Sequence, residues 1–321
     1  MSSWEEILEG LHGLSSESFG HDPLLSVLVL LSSLLVAAFP MLTFLGLMWW
    51  LDRYNREPLW LLGLTFLWGA LIATTMSFMG NTILGQALTE TRWFHNQIDG
   101  FLQVALLAPL VEEPFKAAIF ILLIRSRHLN TMTDGFVYGA AAGLGFGLTE
   151  NFFYFERLHD SMVWSPIDVD PGYADRSLVE QQGIEKAALA RRVMYFDAWI
   201  HNVTVRSIGS AMMHATATSV LGAAFAWARY QRKGAASLAI LNASAVSMGM
   251  HALWNGTASL HLSNLNPLKW SSLVQTQYGE AGLSTLLFAE FIAEFLMVFC
   301  LFQLCLLNER RIIREELVKE A

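Results

Sequence analysis

The stretch LLAPLVEEPFKAAIFILLI, residues 106–124, is apolar at both ends but carries charges and prolines in its first half. These residues are Glu112, Glu113, Lys116, Pro109 and Pro114. A charged side chain inside a lipid bilayer is costly, and a proline within a helix leaves a backbone carbonyl without its donor. Lipid offers no hydrogen-bond donor to such a free carbonyl, so we expect this stretch to line a polar cavity within a membrane protein.

The composition of the whole chain also indicates a membrane protein. Charged residues make up 15% of the 321 residues and hydrophobic residues 54%, whereas a soluble domain carries roughly 25% charged residues. Apolar blocks of about 20 residues or more recur, the length that crosses a bilayer core of roughly 30 Å. We predict an all-α, polytopic membrane helix bundle with about seven transmembrane helices. The predicted spans are 23–51, 58–84, 100–124, 134–155, 199–228, 235–257 and 281–307.

The segments around these spans predict how the chain is organised. Residues 1–22 are predicted to be an amphipathic segment, 23–307 a transmembrane domain with an extracytoplasmic loop at 156–198, and 308–321 a cytoplasmic tail. Lys and Arg gather in short loops on one side, so the positive-inside rule places the amino terminus outside and the carboxyl terminus in the cytoplasm. This pattern favours the inner (plasma) membrane. The net charge of -8 argues against a nucleic-acid partner.

The two adjacent acids are suited to proton transfer. In a regular helix Glu112 and Lys116 (i, i+4) share one face, and Glu113 (i, i+3) lies close to it. A lysine beside two carboxylates keeps at least one of them charged. Where their environments give two acids different pKa values, one can act as the acid and the other as the base. An ion pair that only joins helices would account for one of these carboxylates and not for both.

Two histidines lie deep in later predicted spans. His214 has small and polar residues on its face, and His251 is followed one turn later by Asn255. Glu150 follows a strip of glycines that recurs every four residues, so its side chain is expected to face the bundle. Two imidazoles and a carboxylate are ligands that zinc accepts. Glu150, His214 and His251 therefore form a candidate zinc site, and the same residues could polarise a water without a metal.

Four motifs occur in a fixed order along the chain. They are EExxK (Glu112, Glu113, Lys116), FxxxEN (Phe146, Glu150, Asn151), the single His214, and HxxxN (His251, Asn255). Over residues 100–257 this order resembles the PrsW family of intramembrane proteases, a branch of the clan of CAAX proteases and bacteriocin-processing enzymes. The resemblance implies hydrolysis of peptide bonds in membrane-anchored proteins or peptides. It implies that Glu112 and Glu113 are the catalytic acids and that His214 and His251 complete the site.

The predicted mechanism starts with one glutamate, preferably Glu112, that takes a proton from water. Lys116 would set the charge of the acid pair, and a histidine, Asn255 or a bound zinc would stabilise the oxyanion. Two other functions fit the residues alone: a proton-coupled transporter or channel with a Glu/His relay, and a non-catalytic scaffold of the same clan. The substrate and the oligomeric state are left open.

Overall fold

The computed structural model describes residues 23–52, 56–89, 101–163, 176–262, 288–311 and 314. Within these residues every regular element is a helix, so the predicted all-α class is confirmed. The predicted amphipathic segment 1–22 lies outside the described residues, as does most of the predicted tail 308–321.

The described helices follow one another along the chain with three π-helical turns. The helices are α1 (Pro23–Leu51), α2 (Leu59–Leu67), α3 (Thr74–Thr89), α4 (Ala108–Ala117), α5 (Ile119–Leu123), α6 (Met132–Val163), α7 (Leu178–Val205), α8 (Ala211–Ala228), α9 (Lys233–Leu262) and α10 (Phe288–Arg311). The π-helical turns are Trp68–Ala73 between α2 and α3, Gln103–Leu107 before α4, and Arg206–Ser210 between α7 and α8. Such turns are often found at functional sites.

Several helices are long and apolar enough to cross a membrane, which confirms a multi-pass membrane protein. Among the described residues they are Leu24–Leu51, Leu59–Leu88, Lys233–Ser259 and Phe288–Arg311. The predicted spans 100–124, 134–155 and 199–228 are also mainly helical, but they carry charges or many small residues. Residues 136–147 are buried by protein, so they need not be as apolar as a lipid-facing helix. The number seven therefore stays a prediction.

The chain divides into two compact units. The smaller contains Met1–Pro40 and Glu150–Ser207, and the larger contains Met41–Thr149 and Ile208–Ala321. In the smaller unit, helical structure reaches into the segment 156–198 that the sequence analysis took as a loop. Helix α6 ends at Val163, and α7 begins after Ser177, whose hydroxyl accepts from the Glu180 backbone N–H in a capping box. A Ser-x-x-Glu sequence is the usual signal for such a start.

In the larger unit, glycines let α6 lie directly against α8. A Cβ atom added to Gly139 would lie 2.4 Å from the backbone oxygen of Thr218, and one added to Gly143 would lie 2.1 Å from that of His214. Neither position has space for a side chain, because the neighbouring atoms are backbone. The predicted glycine strip is thus a packing surface, and it holds the backbone of His214 close to α6.

Acidic side chains are buried where α1 passes into α2 in the larger unit. Asp52 and Glu57 lie in this connection, and Asp134 begins α6 nearby; all three are buried. Tyr138 donates a short hydrogen bond to Glu57. Burial is the main cause that raises the pKa of Glu57, and the negative charge of Asp134 raises it further, to about 9. Glu57 is therefore protonated in the folded protein at neutral pH.

This protonation makes stability depend on pH. Below the ordinary pKa of 4.5 both the folded and the unfolded chain hold the proton, whereas between 4.5 and about 9 only the folded chain does. Stability is thus lost as pH rises through this range, by up to about 1.4 kcal/mol per pH unit for one proton. We expect thermal unfolding of the detergent-solubilised protein to show this slope and Glu57→Gln to reduce it. Glu185→Gln, on the exposed face of α7, is the control, and an equal slope in wild type and Glu57→Gln would contradict the assignment.

Candidate active site

Helix α4 carries the two acids and the lysine on one face, as their spacing predicted. The Nζ atom of Lys116 lies 2.7 Å from Oε1 of Glu113 and 3.6 Å from Oε2 of Glu112. The lysine side chain is fully buried, and its Nζ lies 4.0 Å from the ring centroid of Phe146 on α6. The ammonium is therefore held between a carboxylate and an aromatic face.

Glu113 is a fully buried carboxylate with contacts at both oxygens. Besides Lys116, its Oε1 contacts Nδ1 of His251 at 2.7 Å. Its Oε2 accepts from the hydroxyl of Ser247 at 2.8 Å and lies 3.5 Å from that of Thr218. An ionised carboxylate accepts hydrogen bonds and donates none. The donors around Glu113 therefore stabilise it as an anion in one orientation.

Glu112 lies beside it in a looser environment. Its side chain is 12% exposed, against 0% for Glu113. Its Oε1 accepts from Nδ2 of Asn81 at 3.4 Å, and its Oε2 is 3.7 Å from Nε2 of His251. These contacts are longer than those of Glu113, and Glu112 is the more exposed of the two carboxylates.

The two histidines meet across α8 and α9. The ring centroids of His214 and His251 are 5.0 Å apart with the rings at 80°. Lys116 Nζ lies 2.9 Å from Nδ1 of His214, and since an ammonium only donates, this Nδ1 accepts. In His251, Nδ1 donates to Glu113, and Nε2 is buried without a hydrogen bond to any described residue. A neutral His251 therefore presents a lone pair at Nε2.

Glu113, His214 and His251 fit a divalent metal ion. Each offers one ligand atom, these atoms lie within 4.8 Å of one another, and all three residues are buried. A carboxylate with two imidazoles is a common protein set for zinc that leaves a position for water. The unbonded Nε2 of His251 supports the fit. The cation that the structure shows at these atoms is the ammonium of Lys116.

Glu150, which the sequence analysis assigned to the metal, has a different partner. In the smaller unit its Oε1 lies 2.9 Å from an Nη atom of Arg206. Nε of Arg206 donates to Oδ1 of Asn151 at 2.9 Å, and its guanidinium lies 3.8 Å from the Tyr154 ring centroid. A buried arginine needs a countercharge, which Glu150 supplies. The carboxylate that the structure groups with the two histidines is Glu113.

Comparison with known proteins identifies the family of the chain. The family described as "PrsW family intramembrane metalloprotease" matches residues 57–276. The chain belongs to the PrsW family. This match includes all four motifs, and it extends beyond the residues 100–257 over which the sequence resemblance was found.

Two curated relatives of this PrsW family chain are similar over part of its length. "Protease PrsW" of Clostridioides difficile (strain 630) is 33% identical over 127 residues, which cover 37% of this chain and 49% of that protein. "Protease PrsW" of Oceanobacillus iheyensis (strain DSM 14371) is 31% identical over 126 residues, which cover 39% of this chain and 54% of that protein. The chain thus spans about half the length of the curated relatives it matches. No solved structure gives a significant match.

In the PrsW motif HxxxN, the asparagine binds the backbone before α4. The Ala108 N–H donates to Gln103 in the π-helical turn, and Pro109 has no N–H, so the carbonyl of Val104 lacks a helical donor. Nδ2 of Asn255 donates to this carbonyl at 3.0 Å. The Asn255 amide that was predicted for an oxyanion is engaged here with backbone.

Two polar residues at the site, Asn81 and Ser247, were missed in the sequence analysis, whereas Thr218 belongs to the polar face of His214 that it described. Ser247 precedes His251 by four residues. Residues four apart share a helix face, so the same search along the face of His251 would have found Ser247. Asn81 contributes from α3, for which no PrsW motif had been recognised.

Proposed function

We propose that this PrsW family member is an intramembrane endopeptidase that hydrolyses peptide bonds of membrane-anchored proteins. The observation that carries the proposal is the difference between its adjacent carboxylates. Glu113 is fully buried with contacts of 2.7 and 2.8 Å, whereas Glu112 is partly exposed and has contacts of 3.4 to 3.7 Å. Two acids in such unlike environments suit separate roles in hydrolysis. Both curated relatives are named as proteases.

The proposed reaction begins with Glu112 as general base. Its carboxylate takes a proton from a water, and the water oxygen forms a bond to the carbonyl carbon of the substrate. The ammonium of Lys116 lies 3.6 Å from Oε2 of Glu112 and supplies positive charge to the tetrahedral oxyanion. The protonated Glu112 then gives its proton to the leaving amine as the C–N bond breaks. Glu113 holds Lys116 and His251 in place throughout.

A metal would be held by Glu113, His214 and His251. A bound zinc ion supplies Lewis acidity, which polarises a carbonyl and makes a water more acidic. A reaction without metal would rely on the ammonium of Lys116 for positive charge. Both versions use Glu112 as the base, so the assignment of the base does not depend on the choice between them.

The proposed location is the inner (plasma) membrane, with the amino terminus outside and the carboxyl terminus in the cytoplasm. The basic residues in short loops support this orientation. A membrane-anchored substrate would reach the site from the bilayer, since the candidate residues lie in helices of a multi-pass membrane protein.

The direct test uses the purified full chain in liposomes with a panel of labelled single-span peptides. We expect peptide cleavage by the wild-type protein. Loss of cleavage with a chelator and its return with zinc would identify the metal version, whereas cleavage that resists the chelator would identify the metal-free version. No cleavage of any peptide, together with a proton flux that Glu112→Gln removes, would instead support a transporter.

A further inference from the structure

Two hydroxyl groups converge on one oxygen of Glu113. Oε2 of Glu113 lies 2.8 Å from Oγ of Ser247 and 3.5 Å from Oγ1 of Thr218. All three residues are 0% exposed. Ser247 lies on α9 and Thr218 on α8, the same helices that carry His251 and His214. Each helix therefore brings to Glu113 one histidine and one hydroxyl.

These hydroxyls differ from those of Thr216 and Ser244 on the same helices. The usual partner of a hydroxyl inside a helix is the carbonyl four residues earlier. Thr216 donates to Met212 in this way at 2.6 Å, and Ser244 donates to Ile240 at 2.8 Å. Ser247 instead donates across the bundle to the carboxylate, so its hydroxyl serves Glu113 and not its own helix.

The hydroxyl of Ser247 determines how the Glu113 carboxylate is oriented. If Glu113 had only its Oε1 contacts to Lys116 and His251, the carboxylate could rotate about the Cγ–Cδ bond. The bond at Oε2 removes this freedom and supplies a donor to an anion that has no access to water. A fixed carboxylate keeps its lone pairs directed at one point, which a metal ligand requires.

We propose that Ser247, assisted by Thr218, is a positioning residue that orients Glu113 as a ligand for a divalent metal ion. The proposal rests on the proposed function, because it takes Glu113, His214 and His251 as the metal-binding set. Groups that hydrogen-bond to metal ligands typically change metal affinity by about 10- to 100-fold when removed. The bond of Ser247 is short and that of Thr218 is long, so Ser247 carries most of the effect.

Zinc affinity of the purified full-length protein tests this role apart from proteolysis. The Kd for zinc is measured in detergent by competition with a chelating dye, and the thermal transition is recorded for each variant. We expect Ser247→Ala to weaken zinc binding by about 10- to 100-fold and Thr218→Val to weaken it less. The matched controls Ser244→Ala and Thr216→Val lie on the same helices and should bind zinc like the wild type. Ser247→Thr keeps the hydroxyl and should bind more tightly than Ser247→Ala.

The outcomes separate this inference from the proposed function. Wild-type affinity in Ser247→Ala would overturn the positioning role, and so would an equal loss in Ser244→Ala, which would indicate general packing. A wild-type protein that binds no zinc would overturn it as well, even if it cleaves peptides. A protein that binds zinc with the expected pattern but cleaves no peptide would retain the inference and reject the proposed protease.

Discussion

Glu112→Gln is expected to lower kcat for peptide cleavage by about 10²- to 10⁴-fold, the usual contribution of a general base. Glutamine has the shape of glutamate and can still accept from Nδ2 of Asn81, but it cannot take a proton from water. Glu112 is not among the residues that fit a metal, so the zinc content and the thermal transition should stay close to those of the wild type. The KM should change little, because the substitution acts on a proton-transfer step.

The companion substitution Glu113→Gln should give a different pattern. It removes the charge from the buried ligand set and leaves Lys116 without its closest partner, so zinc affinity and stability should both fall. The control is Glu290→Gln, a partly buried glutamate of α10, which should retain cleavage. If Glu112→Gln lost zinc while Glu113→Gln kept it, the roles of general base and metal ligand would have to be exchanged between the two glutamates. Unchanged cleavage by Glu112→Gln would reject it as the base.

The features of the site that follow from helix geometry could be predicted from the sequence. The i, i+3 and i, i+4 spacing placed Glu113 and Glu112 beside Lys116, and the structure has these contacts at 2.7 and 3.6 Å. The buried histidines were found because an ionisable residue inside an apolar span is unusual. The glycines at 139 and 143 predicted close helix packing, since only glycine allows backbone to approach backbone.

The choice of partners between helices could not be predicted in this way. The sequence analysis grouped Glu150 with the two histidines, whereas in the structure Glu113 lies with them and Glu150 forms an ion pair with the buried Arg206. The hydrogen bonds of Ser247 and Asn255 cross between helices, and helix periodicity can place these residues on a face but does not identify their partners. The number of spans is left undecided for a related reason, because a helix buried by protein, as α6 is over residues 136–147, need not be as apolar as one that faces lipid.

Lys116→Met is expected to destabilise the metal-free protein by about 3–5 kcal/mol, the cost of breaking a buried ion pair by removing one partner. Methionine fills a similar volume, but it leaves the buried anion of Glu113 without the ammonium that lies 2.7 Å from it. It also removes the donor to Nδ1 of His214 at 2.9 Å. The free energy of unfolding in detergent, with a chelator present, measures the loss. Lys233→Met, at the exposed start of α9, is the control.

The double variant Lys116→Met with Glu113→Gln decides whether charge is the cause. Each single substitution leaves one buried charge without its closest partner, whereas the double variant removes both charges, so its loss should be smaller than the sum of the single losses. Residues in direct contact show such coupling at about 0.5–3 kcal/mol. Additive losses would mean that Lys116 contributes through packing, for instance against the Phe146 ring, and not through its charge. A double-variant loss smaller than the sum would instead establish Lys116 as the internal cation that keeps Glu113 ionised, the state in which that carboxylate can hold His251 or bind a metal.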